Sequence, residues 1–248
     1  MILSVRHKFI FIKGYKVAGT SIEIALSQLC GPDDIVTPIL PVDERMRIAL
    51  GGRCQNFGAD RLLEQGYLAL VAGASPNDLS RIEAPSGNYY NHMPLVEVTR
   101  RYPDALSGFR LVCAERSPYA KMLSWLNMSL AIDSYRRGGK MRGDPESMQA
   151  AFDRLASRGR LDVVRNIDLY RGADGRIDAL VMRYEMLQSE FDSFVLALGV
   201  VPTPELPHAK RGMMSNGIDP RTVLRRDQLD AINKAYADEF DFFRYPRL

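Results

Sequence analysis

One segment near the amino terminus limits the fold more than any other. The apolar run Lys8-Phe-Ile-Phe-Ile12 reads as a buried strand, Lys13 to Gly19 as a loop, and Thr20 to Leu29 as a helix whose Ile22, Ala25, Leu26 and Leu29 share one face, with Gly31-Pro32 closing it. A strand that feeds a helix through a tight loop is the repeating unit of an α/β sheet, and two further segments follow the same plan. Phe109 to Glu115 is a buried strand followed, after Arg116-Ser-Pro118, by a helix to about Leu130. Pro118 suits the first helical turn, where a missing N–H does no harm. Asp178 to Tyr184 is a third strand, preceded by the Gly172–Gly175 turn and followed by a helix from Leu187 to Leu198 that Gly199 closes.

Three such units predict an α/β fold of the P-loop-like, three-layer kind, with a central, mostly parallel sheet flanked by helices and ligands at the carboxyl ends of its strands. Further helices are expected over Glu146–Ser157 and Arg225–Phe240. Residues 40–90, where Pro, Gly, Asn and Asp interrupt any sustained period, read as loops and short helices such as Asp60–Glu64.

A chain of 248 residues with 46% hydrophobic and 25% charged side chains can bury a full core, and residues 1–248 are read as a single domain. The 33 basic residues are nearly balanced by 30 acidic ones, so affinity for an anion must come from locally placed cations, and bulk nucleic-acid binding is not expected. The three cysteines, Cys30, Cys54 and Cys113, form neither a CxxC pair nor a metal-ligand spacing with the three histidines, which points to a reducing compartment and no structural zinc. No stretch reaches the roughly 18 uncharged apolar residues of a membrane span, so a soluble, cytoplasmic protein is expected.

The first loop, Gly14-Tyr-Lys-Val-Ala-Gly-Thr-Ser21, keeps the glycine and hydroxyl spacing of the phosphate-binding motif G-x-x-x-x-G-K-[ST], but Thr20 stands where that motif has its lysine, and the lysine is at position 16. Backbone N–H groups and the positive end of the helix dipole make such a loop a site for phosphate or sulfate oxygens, with Lys16 adding a full charge. Loss of the Lys-Ser/Thr pair disfavours a magnesium-dependent triphosphatase. A structural reading remains, in which the loop is only a glycine-containing turn with a surface lysine.

Lys16-Val-Ala-Gly-Thr-Ser21 after a buried strand resembles the 5′-phosphosulfate loop of sulfotransferases that use 3′-phosphoadenosine 5′-phosphosulfate (PAPS). Leu111-Val-Cys-Ala-Glu-Arg116-Ser-Pro-Tyr-Ala-Lys121-Met-Leu-Ser124 resembles that family's 3′-phosphate segment, V-R-x-P-Y-x-R-x-x-S, with Arg116 and Ser124 on its two binding positions and Lys121 where many relatives have arginine. Leu180 to Leu187 resembles the family's strand ending in Tyr-Glu-x-Leu, where Glu185 is read as the cap-region acid of the next helix. The basic segment Leu206-Pro-His208-Ala-Lys210-Arg211-Gly212 resembles a loop that covers the donor in relatives. The pattern is most similar to the membrane-anchored (Golgi-type) carbohydrate branch without its anchor, and it departs from it at Tyr15, where that branch usually has proline before the lysine.

The resemblance implies transfer of a sulfuryl group from PAPS to an acceptor hydroxyl, on a carbohydrate ahead of lipid or small-molecule alcohols, with 3′-phosphoadenosine 5′-phosphate as product and no metal required. It implies donor contacts from Lys16, Val17, Ala18, Gly19, Thr20, Ser21, Arg116 and Ser124, with Lys210 and Arg211 of second rank. Lys16 would also act catalytically, holding charge on the departing oxygen. For the base, His92 in a His-x-Pro setting is preferred, with His208 as the alternative and a capping or buried His92 as the bland reading. Tyr89 and Tyr90 could stack on a sugar or belong to the core, and Arg136, Arg137, Lys140 and Arg142 could grip an anionic glycan or be a solvated loop. Two rival functions stand beside this one: a P-loop kinase of a small molecule, and a non-catalytic module that binds the nucleotide.

Overall fold

The computed structural model describes residues 1–136, 143–207 and 218–248. In chain order the described residues form β1 (Ile2–Ser4), β2 (Phe9–Phe11), α1 (Gly19–Ser27), β3 (Ile35–Val36), α2 (Pro41–Ala49), α3 (Arg61–Gly73), α4 (Pro76–Leu79), α5 (Leu95–Arg101), β4 (Arg110–Glu115), α6 (Pro118–Arg136), α7 (Pro145–Ser157), α8 (Ile167–Tyr170), β5 (Ala179–Arg183), α9 (Leu187–Ala197), α10 (Arg226–Ala235) and α11 (Ala237–Phe243). The chain is α/β, with a mixed central sheet flanked by helices, in the order β3-β1-β2-β4-β5.

Two compact units are interleaved along the chain. The first comprises Met1–Gly14, Ala18–Ala114 and Asp168–Ala209, and the second Tyr15–Val17, Glu115–Ile167 and Lys210–Leu248. The first unit carries the sheet. β2 and β4 run parallel, with Ile10 opposite Leu111, while β1 is antiparallel to both β2 and β3. Phe9, Phe11, Val112 and Cys113 are fully buried, as a strand covered on both faces requires. The Phe9 and Phe194 rings meet edge-on at 5.4 Å, tying α9 to β2. The hairpin formed by β1 was not expected, because a three-residue strand is too short to show a period.

Residues 40–90 are more regular than expected. α3 runs for thirteen residues, and Asp60 caps it by accepting the N–H groups of Leu62 and Leu63 at 2.8 and 3.3 Å. Its period is obscured because Leu62, Leu63 and Leu70 lie on the exposed side while Tyr67 and Val71 face a cluster with Cys54, Phe57 and Leu79.

The second unit is helical, built from α6, α7, α10 and α11. α6 continues six residues past the expected end at Leu130, and the single helix expected over Arg225–Phe240 is two helices, broken at Tyr236 (φ −118°, ψ 24°). Gln149 donates to the Val223 carbonyl at 2.7 Å, and Gln228 donates to the Gln149 carbonyl at 3.1 Å, so amide side chains join α7 to α10. Glu185 lies in the one-turn helix Tyr184–Met186 directly ahead of α9, whose N-cap residue, Met186, makes no side-chain capping bond. The Arg183 N–H is taken by Glu190 of α9.

Candidate functional site

In the first unit the loop runs into α1 through Ala18, whose left-handed backbone (φ 60°, ψ 20°) turns the chain into the helix. No side chain caps α1 and no acid occupies its first turn, so Gly19, Thr20 and Ser21 present the helix N-terminus that an anion would cap. Gly19 is required for a steric reason: a Cβ there would lie 2.6 Å from Cγ of Lys13. The Lys13 stem cannot easily move aside, because its ammonium is buried and lies 2.7 Å from the carboxylate of Glu23 on the same helix. Burial alone would raise the Glu23 pKa, but Lys13, the amino-terminal ammonium and Arg47 outweigh it and bring it down to about 2.

His92 also belongs to this unit. Its Nδ1 is 2.9 Å from the carbonyl oxygen of Lys13, and its backbone is left-handed (φ 59°). A carbonyl oxygen only accepts, so Nδ1 carries the hydrogen and Nε2 keeps its lone pair in the neutral ring. Burial, with the Lys13 charge assisting, pushes the imidazole pKa down to about 4, so the ring is neutral at pH 7. The bland and the catalytic readings of His92 therefore use different nitrogens of the same ring.

Three residues before His92, the Tyr89 N–H donates to the Phe57 carbonyl at 2.9 Å and its half-buried ring packs against the Cys54–Leu79 cluster, on the core side of the two readings. Tyr90 is exposed and donates its hydroxyl to Glu97 at 2.9 Å, with the Arg101 guanidinium 6.0 Å from the ring centre.

The second unit holds Tyr15, Lys16 and Val17 together with Arg116 and Ser124. Val17 is fully buried, so its side chain anchors the loop and only its backbone is available to a ligand. Lys16, at φ 61°, places its ammonium 3.3 Å from the sulfur of Met128 on α6. Met128 is one turn beyond Ser124, and residues four apart share a helix face, so Lys16 reaches the face of α6 that carries Ser124. Arg116 and Ser124 are both buried, 4% and 6% exposed.

Beneath them lies a charged network that spacing in the sequence did not suggest. Lys121 bridges Glu115 at 2.8 Å and Glu239 at 2.6 Å, all three no more than 1% exposed. Lys121, noted as the counterpart of an arginine, is thus a structural cation. Burial, with Glu239 adding, pushes Glu115 up to about 7 against the opposing pull of Lys121. The Glu115 carboxylate accepts the Arg116 N–H at 2.8 Å and lies 3.3 and 3.4 Å from the amide nitrogen of Asn166. Asn166 in turn accepts the Tyr15 N–H at 2.6 Å and donates to the Tyr15 carbonyl at 3.2 Å.

Lys210, Arg211 and His208 lie outside the described residues, as do Arg137, Lys140 and Arg142. Among the described residues no group of three or more His, Cys, Asp or Glu is placed to hold a metal ion, and no helix is long and apolar enough to cross a membrane. Cys30, Cys54 and Cys113 take part in no disulfide.

No family model and no curated protein matches the chain. Among solved structures it is similar to a sulfotransferase from Alicyclobacillus acidocaldarius, at 19% sequence identity over 96% of this chain and 94% of that one, with a TM-score of 0.37.

Proposed function

We propose that the chain is a sulfotransferase that moves the sulfuryl group of PAPS to an acceptor hydroxyl, most suitably on a carbohydrate. The observation that carries this reading is the contact of Lys16 with Met128, which sets the cation of the sulfate-type loop one helical turn from Ser124 on the helix that Arg116 precedes. A donor with a 5′-phosphosulfate and a 3′-phosphate needs two anion grips held at a fixed spacing, and a nucleoside triphosphate needs only one extended one.

In the proposed reaction the loop N–H groups of Gly19, Thr20 and Ser21 hold the phosphosulfate oxygens, with Val17 and Ala18 contributing backbone only. Arg116 and Ser124 hold the 3′-phosphate, and Lys210 and Arg211, outside the described residues, are donor contacts of second rank. The acceptor oxygen attacks sulfur in line, the bond from sulfur to the bridging phosphate oxygen breaks, and 3′-phosphoadenosine 5′-phosphate leaves with the charge that Lys16 neutralises. The hydroxyl proton passes to Nε2 of His92, whose other nitrogen is fixed on Lys13.

Calorimetric titration with 3′-phosphoadenosine 5′-phosphate, and separately with ATP and magnesium, tests the reading. Binding of the first without the second supports it. Preference for the triphosphate overturns it in favour of a kinase, and nucleotide binding without turnover of PAPS on any hydroxyl pool reduces the chain to a binding module.

A further inference from the structure

We propose that Asn166 is a positioning residue for Lys16, acting through the backbone of Tyr15. The inference rests on the sulfotransferase reading for what Lys16 does, and on the loop geometry for the rest. Lys16 and Ala18 both have left-handed backbones, at φ 61° and 60°, and neither is glycine. Each such residue costs roughly 1–3 kcal/mol and persists only where its surroundings determine it. A proline before the lysine would restrain the chain covalently; here position 15 is tyrosine and the restraint is a side chain.

The Asn166 amide imitates a peptide group. It takes the N–H and the C=O of one residue at 2.6 and 3.2 Å, and so fixes both peptide planes that flank the Cα of Tyr15. The second plane contains the backbone nitrogen of Lys16, so the lysine leaves a fixed origin. Asn166 cannot drift: it is fully buried, its own N–H and that of Ile167 are taken by Glu239, and its amide nitrogen lies against Glu115.

Lys121 holds both acids, and the same Glu115 carboxylate holds the Arg116 N–H. One buried network therefore anchors the residue before each proposed grip, Tyr15 ahead of Lys16 and Glu115 ahead of Arg116. Proline at position 15 would delete the N–H that Asn166 accepts, so the two solutions exclude each other.

The test is a double-mutant cycle read by PAPS turnover on a mixed monosaccharide and oligosaccharide pool, with affinity for 3′-phosphoadenosine 5′-phosphate and amide exchange over residues 15–17 measured alongside. Asn166→Ala is expected to lower kcat about 30-fold in the wild-type background but less than about threefold beside Lys16→Ala, because the two residues act as one unit. Nucleotide affinity should change less than about threefold, and exchange at Tyr15–Val17 should accelerate. Where Asn166→Ala does not fold, Asn166→Ser, which adds no charge beside Glu115 and is too short to hold both the N–H and the carbonyl of Tyr15, gives the same comparison. Losses that multiply independently, or exchange at residues 15–17 that matches wild type, would overturn the proposal. A wild-type protein that neither binds the nucleotide nor turns over PAPS would instead remove the sulfotransferase reading, and the clamp would then stand or fall on the exchange data.

Discussion

His92 holds the loop by the carbonyl of Lys13, 2.9 Å from Nδ1, and is kept neutral by burial. Its pKa of about 4 in the folded chain lies below the ordinary 6.5, so between these values the unfolded chain binds the proton and the folded chain does not. The contribution of His92 to stability is then expected to fall as pH drops from about 6.5 towards 4, by on the order of 2–3 kcal/mol relative to a variant without the imidazole. His92→Asn, which tolerates the left-handed backbone and can still donate to Lys13, should flatten that slope in urea titrations; an unchanged slope would show that another group titrates. Donor anions bound near the ring would raise its pKa, so imidazole NMR should show an upward shift on adding 3′-phosphoadenosine 5′-phosphate, and no shift would remove His92 from the reaction.

Lys16→Ala is expected to lower turnover far more than nucleotide affinity. The charge matters most as the bridging oxygen departs, and removing one such stabilising group costs about 100-fold or more in kcat. Equal losses in kcat and in affinity for 3′-phosphoadenosine 5′-phosphate would make Lys16 a binding residue only.

Arg116 should govern recognition of the 3′-phosphate. With Arg116→Ala, affinity for 3′-phosphoadenosine 5′-phosphate should approach that for adenosine 5′-phosphate, a loss of about 2–3 kcal/mol in discrimination for a charge-assisted pair. A variant that distinguishes the two nucleotides as well as wild type does would place the 3′-phosphate elsewhere.

The parts of this chain legible from sequence are those governed by local period and turn chemistry. Phe9–Phe11 and Arg110–Glu115 are buried strands, and the turn from β2 into α1 falls where the glycine-bearing segment after Lys13 was read. What escaped is long-range. Asn166 meets Tyr15 across 151 positions and Lys121 meets Glu239 across 118, and neither pairing leaves a mark in spacing. The role of Lys121 was hidden for the same reason: in sequence, a buried structural lysine on a helix looks like any other until the acids opposite are seen. α3 was hard to read because its apolar residues lie on both of its faces.

The Lys121 network gives a prediction in which pH sets the size of the effect. Lys121→Met leaves Glu115 and Glu239 buried without their cation, and breaking such a group by removing one partner costs about 3–5 kcal/mol when the remaining charges cannot be neutralised. Glu115 can be neutralised by a proton. Glu115 already sits at about 7 with the lysine present, and losing a cation raises it further. For a carboxyl whose folded pKa is raised, the folded chain binds the extra proton, so its contribution to stability is full below the ordinary 4.5 and is lost as pH rises through the folded value. The deficit of Lys121→Met against wild type should therefore be small near pH 5 and grow as pH rises past about 7, and taking the difference between the two proteins cancels the opposing slope from His92. Urea unfolding of both at pH 5 and pH 8 measures it. A deficit equal at the two values would mean that the acids stay ionised without Lys121, and that water or another cation replaces it.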